Sequence, residues 1–171
     1  DAAVITAAID GAGTVAANTY ATVAELEVIG ANANVIVFST KDTAANLAGA
    51  TAARILKAVN TIATTSANVT QATAIDTNTN AGAGGYNTFN IVDTDANVAG
   101  AGNTLLAKAG TVIVSGTSSV THAATIASFA KAVTYSISDT AANALTAVGD
   151  AYNEAVNITI TTDVTYEKAK A

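Results

Sequence analysis

The 171-residue chain contains no cysteine, proline, methionine or tryptophan, and only one histidine. Without cysteine there is no disulfide framework, no thiolate-ligated zinc or iron–sulfur centre and no thiol nucleophile. A single histidine excludes a multi-histidine metal site or a histidine relay within one chain. Charge is scarce as well: 7 basic and 13 acidic residues give a net charge of −6. Nucleic-acid binding needs clustered Lys and Arg to neutralise phosphates, so none is expected. No run of 18 apolar residues occurs, so no membrane span is expected. The chain starts at Asp1 without a basic or apolar leader, and reads as a processed mature form or a fragment.

What is present is small and repetitive. Alanine fills about a quarter of the positions and threonine about a sixth, with frequent Asn and Gly. Half the residues are hydrophobic and the mean hydropathy is +0.39, which argues against a disordered polar chain. Alanine buries little area, so a thin core packed from repeated elements is expected rather than a thick one.

The chain repeats itself. Asp42-Thr43-Ala44-Ala45-Asn46 returns as Asp93-Thr94-Asp95-Ala96-Asn97 and as Asp139-Thr140-Ala141-Ala142-Asn143, at spacings of 51 and 46 residues. Each copy follows an alternating stretch (VIVFS from Val35, TFNIV from Thr88, TYSIS from Thr134). A related phrase lies between copies, starting at Thr61, Thr111 and Asn157, with a worn form from Thr14. Residues 34–171 thus divide into half-repeats starting at 34, 60, 86, 111, 134 and 157, and residues 1–33 form a degenerate N-terminal coil or cap.

Each half-repeat reads as a strand, a polar turn, a helix and a link. The strands rest on β-branched residues alternating with period two, as in Ile158/Ile160 against Thr159/Thr161. The Asp-Thr pairs Asp42/Thr43, Asp93/Thr94 and Asp139/Thr140 are the expected helix caps, because their oxygens can accept the first free N–H groups. Helical spacing follows at Ala48, Ala52, Ile55, Leu56 and Val59, and again at Leu145, Val148 and Tyr152. A unit of 23–26 residues predicts an α/β repeat solenoid of short parallel strands and short Ala-rich helices. The alternative is an all-β helix or β-rich sandwich, in which the Ala-rich stretches are strands or loops.

The D-T-A-A-N phrase, preceded by Y-S-I-S and followed by A-V-N-I-T-I-T, resembles the Ala/Thr/Asn-rich repeats of very large bacterial surface proteins of the adhesin-like and surface-layer-like kind. The resemblance covers residues 34–171 and is tightest from Thr134 to Thr162. It implies an extracellular, cell-surface, often type-I-secreted chain with an architectural role, whose partners are copies of itself or further repeats of the same polypeptide. The nonapeptide G-G-x-G-x-D common at the ends of such proteins is absent.

Chemistry-bearing motifs are few, and neither an enzyme nor a resident cofactor is expected. Gly11-Ala12-Gly13-Thr14-Val15-Ala16 fits G-x-G-x-x-A, but no acidic residue stands about 20 residues on to hold a ribose. Asp76-x-Asn78-x-Asn80 and Asp93-x-Asp95-x-Asn97 imitate half of an EF-hand loop without its Gly and Glu. An irregular calcium site at Asp93 and Asp95 is the metal reading left open there, against a simple capping turn. His122, near Ser118 and Ser119, lacks a nucleophile-elbow context and reads as structural or solvent-facing. Thr61, Thr64, Thr65, Ser115, Thr117, Thr159 and Thr161 could align into a hydroxyl ladder that binds ice, glycan or a cell surface. The ordinary preference of Thr for strands is the plainer account. Asn68-Val69-Thr70 and Asn157-Ile158-Thr159 match the glycosylation sequon.

Overall fold

In a computed structural model of the chain, residues 14–29, 35–78, 87–146 and 150–163 are described. Every strand pair among them is parallel, and short helices join successive strands. That combination follows from the sequence. Parallel neighbours need a crossover, and the Ala-rich stretches supply helices for it. The chain divides into two units, residues 1–90 and residues 91–171.

The first unit runs β1 (Thr14–Ala21), α1 (Val23–Ile29), β2 (Val35–Asp42), α2 (Ala44–Gly49), α3 (Ala52–Ile55), β3 (Ala58–Ala63), α4 (Val69–Asn78) and β4 (Asn87–Thr88). Its four strands form one sheet in sequence order. The second runs β5 (Ile91–Asp93), α5 (Asp95–Ala101), α6 (Asn103–Leu106), β6 (Val112–Val114), α7 (Val120–Ala127), β7 (Ile137–Asp139), α8 (Ala141–Ala144), α9 (Ala151–Glu154) and β8 (Ile158–Ile160). Here β5 pairs with β6 and β7 with β8. The fold is mixed α/β with short parallel strands, and the Ala-rich stretches that follow Asp42, Asp93 and Asp139 start as helices.

Register repeats along with sequence. Asp42 is opposite Ala63, Asp93 opposite Val114 and Asp139 opposite Ile160, always 21 residues apart. From the intervening segment onward the offset changes. Ile113 faces Thr134, but Ser118 faces Ile137; likewise Thr14 faces Val35, but Ala21 faces Thr40. The worn phrase from Thr14 therefore has the same pairing as its later relative.

Side chains from strand and helix share each core. Leu26, Phe38, Leu47, Ile55, Ile75 and Phe89 are buried in the first unit. Ile91, Val98, Leu106, Ile126, Tyr135 and Ile137 are buried in the second. Along β6, Val112 and Val114 are buried while Ile113 between them is exposed, as alternation requires.

Three expectations need correction. The helical spacing from Ala48 to Val59 is not one helix. Helix α2 ends at Gly49, Ala50 and Thr51 are extended, α3 ends by Leu56, and Val59 lies in β3. Only 20 or 21 residues separate paired positions on β2 and β3, so the connection cannot contain one long rod and still return the chain beside its start. A break also occurs at Gly102, whose φ of 75° suits only glycine and separates α5 from α6. In the second expected helix Leu145 caps α8 and Tyr152 lies in α9, whereas Val148 falls outside the described residues. The TFNIV strand is also interrupted: β4 stops at Thr88, Phe89 is buried, and β5 begins at Ile91.

Candidate functional site

The recurring phrase builds the same knot three times. Thr43, Thr94 and Thr140 sit at helix N-caps with extended backbones, and their hydroxyls accept the N–H of Asn46, Asn97 and Asn143 at 3.2, 3.4 and 3.2 Å. The preceding aspartate closes a second ring. Oδ1 of Asp42, Asp93 and Asp139 accepts the following threonine N–H at 2.7, 2.8 and 2.7 Å. The same oxygen accepts the Asn46, Asn97 or Asn143 side-chain amide at 2.8, 2.9 and 2.7 Å. D-T-x-A-N is thus a helix start in which Asp, Thr and Asn each have a hydrogen-bonding role.

The knot also reaches beyond its own segment. Oδ2 of Asp42 accepts the Val23 N–H at 2.9 Å, and Oδ2 of Asp139 accepts the Val120 N–H at 2.9 Å. Both donors open the helix of the preceding segment, 19 residues earlier. In the forward direction, the Ala44 N–H donates to Thr65 Oγ1 and the Ala141 N–H to Thr162 Oγ1, each at 3.0 Å. Every link gives a helix-start N–H group an acceptor from a neighbouring segment. Burial pushes the Asp42 carboxyl upward, but the hydrogen bonds from Val23, Asn46 and Thr43 outweigh it and hold the pKa below the usual value. Asp139 is likewise lowered, first by the Val120 N–H and then by Asn143 and Thr140.

The intervening helices start differently. Thr22 and Glu25 form a reciprocal box: Thr22 Oγ1 accepts the Glu25 N–H at 3.3 Å, and Glu25 Oε2 accepts the Thr22 N–H at 2.9 Å. Asn68 and Gln71 do the same at 2.8 and 3.1 Å. Ser119 accepts the His122 N–H at 3.2 Å, but a histidine cannot return the bond in the way a carboxylate can. Asp95 supplies that acceptor from the adjacent segment: its Oδ2 takes the Ser119 N–H at 3.2 Å and the His122 Nδ1–H at 2.6 Å. Burial raises the Asp95 carboxyl, and the His122, Ser119 and Ala96 hydrogen bonds more than reverse that, leaving its pKa lowered. The signal for these boxes was the spacing Thr22-x-x-Glu25 and Asn68-x-x-Gln71. The His122–Asp95 partnership, 27 residues apart, had no local signal.

The other candidates lie as follows. The Asp93 and Asp95 carboxylates face protein N–H donors, and among the described residues no three His, Cys, Asp or Glu side chains group to hold a metal. Asp76 and Asn78 are in helix α4, not in a loop, and Asn80 lies outside the described residues. Gly11–Gly13 also lie outside them, and Thr14–Ala16 belong to strand β1, where a dinucleotide site would open a helix. The hydroxyl residues do not share one role. Thr61 is buried, Thr65 accepts the Ala44 N–H, and Thr64, Ser115, Thr117, Thr159 and Thr161 are exposed. Asn68 caps its helix, and Asn157 is exposed. An open hollow of about 380 Å³ is lined by Val23, Ala24, Asp42, Ala45, Asn46 and Gly49, with Asp42 its one ionisable group. No helix among the described residues is long and apolar enough to cross a membrane. No protein-family model matches the chain, and neither the curated proteins nor the solved structures yield a match to it.

Proposed function

We propose that the chain is a structural repeat module, of α/β solenoid type, in an extracellular bacterial surface assembly such as a surface layer, adhesin stalk or filament. The observation that carries this reading is the D-T-x-A-N knot. Three copies have the same internal geometry, and two of them cap the helix of the segment before. A sequence that repeats a load of hydrogen bonds from segment to segment serves stacking, since each strand-and-helix segment is too small to bury its own apolar face. The chemistry-bearing residues also serve the fold: Asp42, Asp95 and Asp139 receive N–H groups, and His122 meets Asp95. The resemblance to adhesin-like and surface-layer-like repeats agrees with this role and supplies the extracellular location. In this reading the module associates with copies of itself or with further repeats of the same polypeptide.

Electron microscopy of the native material tests the proposal. A lattice, stalk or filament carrying the chain is the expected image, and dispersed single particles together with a monomeric mass at high concentration would overturn it.

A further inference from the structure

The second unit contains an internal comparison that assigns a partner to strand β8. Register makes β6 and β8 equivalent: Ile91, Val92 and Asp93 face Val112, Ile113 and Val114, while Ile137, Ser138 and Asp139 face Ile158, Thr159 and Ile160. Ile158 therefore stands where Val112 stands, and Ile160 where Val114 stands. Their environments are opposite. Val112 and Val114 are 2% and 5% exposed, but Ile158 and Ile160 are 47% and 37% exposed.

The cause lies on the second edge of each strand. Beside β6 the chain returns from Thr134: Thr134 N–H donates to the Val112 carbonyl at 2.9 Å, and Val114 N–H donates to the Thr134 carbonyl at 2.9 Å. Ser118 N–H then donates to the Ser136 carbonyl at 2.7 Å, and Ser138 N–H to the Ser118 carbonyl at 3.0 Å. This returning segment carries Tyr135 and Ile137, both buried, and leads into the Asp139 knot. Among the described residues β8 pairs with β7 alone and none pairs with its outer edge, beside which two isoleucines are exposed.

Resting on the stacked-segment reading above, we propose that the outer edge of β8, with Ile158 and Ile160, is the docking surface for a further parallel strand-and-helix segment of the D-T-x-A-N type. The partner is fixed by how the equivalent β6 edge is covered. It places a residue in the role of Thr134 against the Ile158 carbonyl and the Ile160 N–H. It also lays apolar side chains in the roles of Tyr135 and Ile137 toward the core.

Appending residues 126–163 after Ala171 keeps the 46-residue spacing that separates the last two D-T-x-A-N copies, and so presents this partner in register. Hydrogen exchange at Ile160 should slow by about tenfold or more in the extended chain relative to the 171-residue chain. Ile158→Asp should leave the 171-residue chain near its original melting temperature and remove the gain in the extended one. Unchanged Ile160 exchange overturns the proposal. If the extended chain does not fold, the same exchange is read with segment 126–163 added in trans, and absence of protection at millimolar concentration has the same meaning. Flat exchange combined with a native lattice would sink this docking surface and leave the assembly reading standing; protection combined with single particles would do the reverse.

Discussion

The carboxylate of Asp42 accepts the backbone N–H of Val23 at 2.9 Å, although the two residues belong to different strand-and-helix segments. The same carboxylate also holds Thr43 and Asn46 at the start of its own helix. One side chain thus caps the preceding helix and braces the Thr43 cap of its own. Asp42→Ala should remove the acceptor of the Val23 N–H and the brace on the Thr43 cap, and cost about 2 kcal/mol, at the upper end for a single cap. Asp42→Asn keeps one acceptor oxygen and should cost less. Urea unfolding measures the total, and hydrogen exchange at Val23 reports the loss between segments separately from the local one.

Acid should loosen the fold in a defined window. Asp42, Asp95, Asp139 and Glu25 all have pKa values lowered in the folded chain; for Glu25 the Thr22 N–H is the chief cause. A lowered folded pKa means that the unfolded chain binds protons first as pH falls. The stabilisation is therefore complete above the ordinary carboxylate range, about pH 4, and is lost as pH drops through it toward the folded values. Urea midpoints should be flat from about pH 5.5 to 7 and should fall below about pH 4. Replacing Asp42 and Asp139 by Asn should flatten that fall; an unchanged slope would show that these knots do not drive it.

The His122–Asp95 pair makes a swap experiment available. His122→Glu places a second carboxylate against Asp95 and should be destabilising. Adding Asp95→Ala should recover stability, because Glu at that position can then close the box with Ser119 as Glu25 does with Thr22. Thermal melts of the two single variants and the double variant give the coupling. Additive effects would deny that Asp95 substitutes for the missing box acceptor.

Two buried hydroxyls invite removal. Thr61 Oγ1 and Ser118 Oγ have no hydrogen-bond partner among the described residues. Register and backbone bonding place Ala21 and Ala67 where Ser118 stands, and both are buried. Ser118→Ala and Thr61→Val should each be neutral or stabilising, by up to about 1 kcal/mol, because an unpaired buried polar group costs desolvation. A loss above that size in urea unfolding would contradict the burial described.

Alkaline pH should act through tyrosine. Burial, followed by the charges of Glu154 and Asp150, raises the Tyr135 phenol above its usual pKa, and its hydroxyl donates to the Ala151 carbonyl at 2.7 Å. Burial and Asp139 raise Tyr152. A raised folded pKa leaves stability intact below the unfolded value near 10 and removes it as pH rises beyond. Tyr135→Phe should cost about 1 kcal/mol at neutral pH and lessen the alkaline loss. Unfolding midpoints between neutral pH and about pH 11 check both parts.

Much of the local order is written in short words of sequence. Asp-Thr before x-Ala-Asn carries its own helix start, because its three partners, Asp, Thr and Asn, lie within five residues of one another. Alternation marks β6 and β8 through Val112/Val114 and Ile158/Ile160. The helix boundaries were less legible. Ala48, Ala52 and Ile55 have helical spacing, yet the short return from β2 to β3 breaks the run at Ala50 and Thr51. The alternation of TFNIV predicts a strand through Phe89, which is instead a buried interruption between β4 and β5.

The sequence by itself determined which residues start helices, where strands alternate and at what period the pattern returns, since these depend on contacts a few residues apart. Only the tertiary structure decided that Asp42 and Asp139 cap the preceding helix, that Asp95 meets His122, and that Thr61 lies inside while Thr159 lies outside. Those outcomes depend on register between parallel strands, 19 to 27 residues apart along the chain. A shift of one residue would turn every side chain of a strand to its other face, so no local pattern could have fixed them.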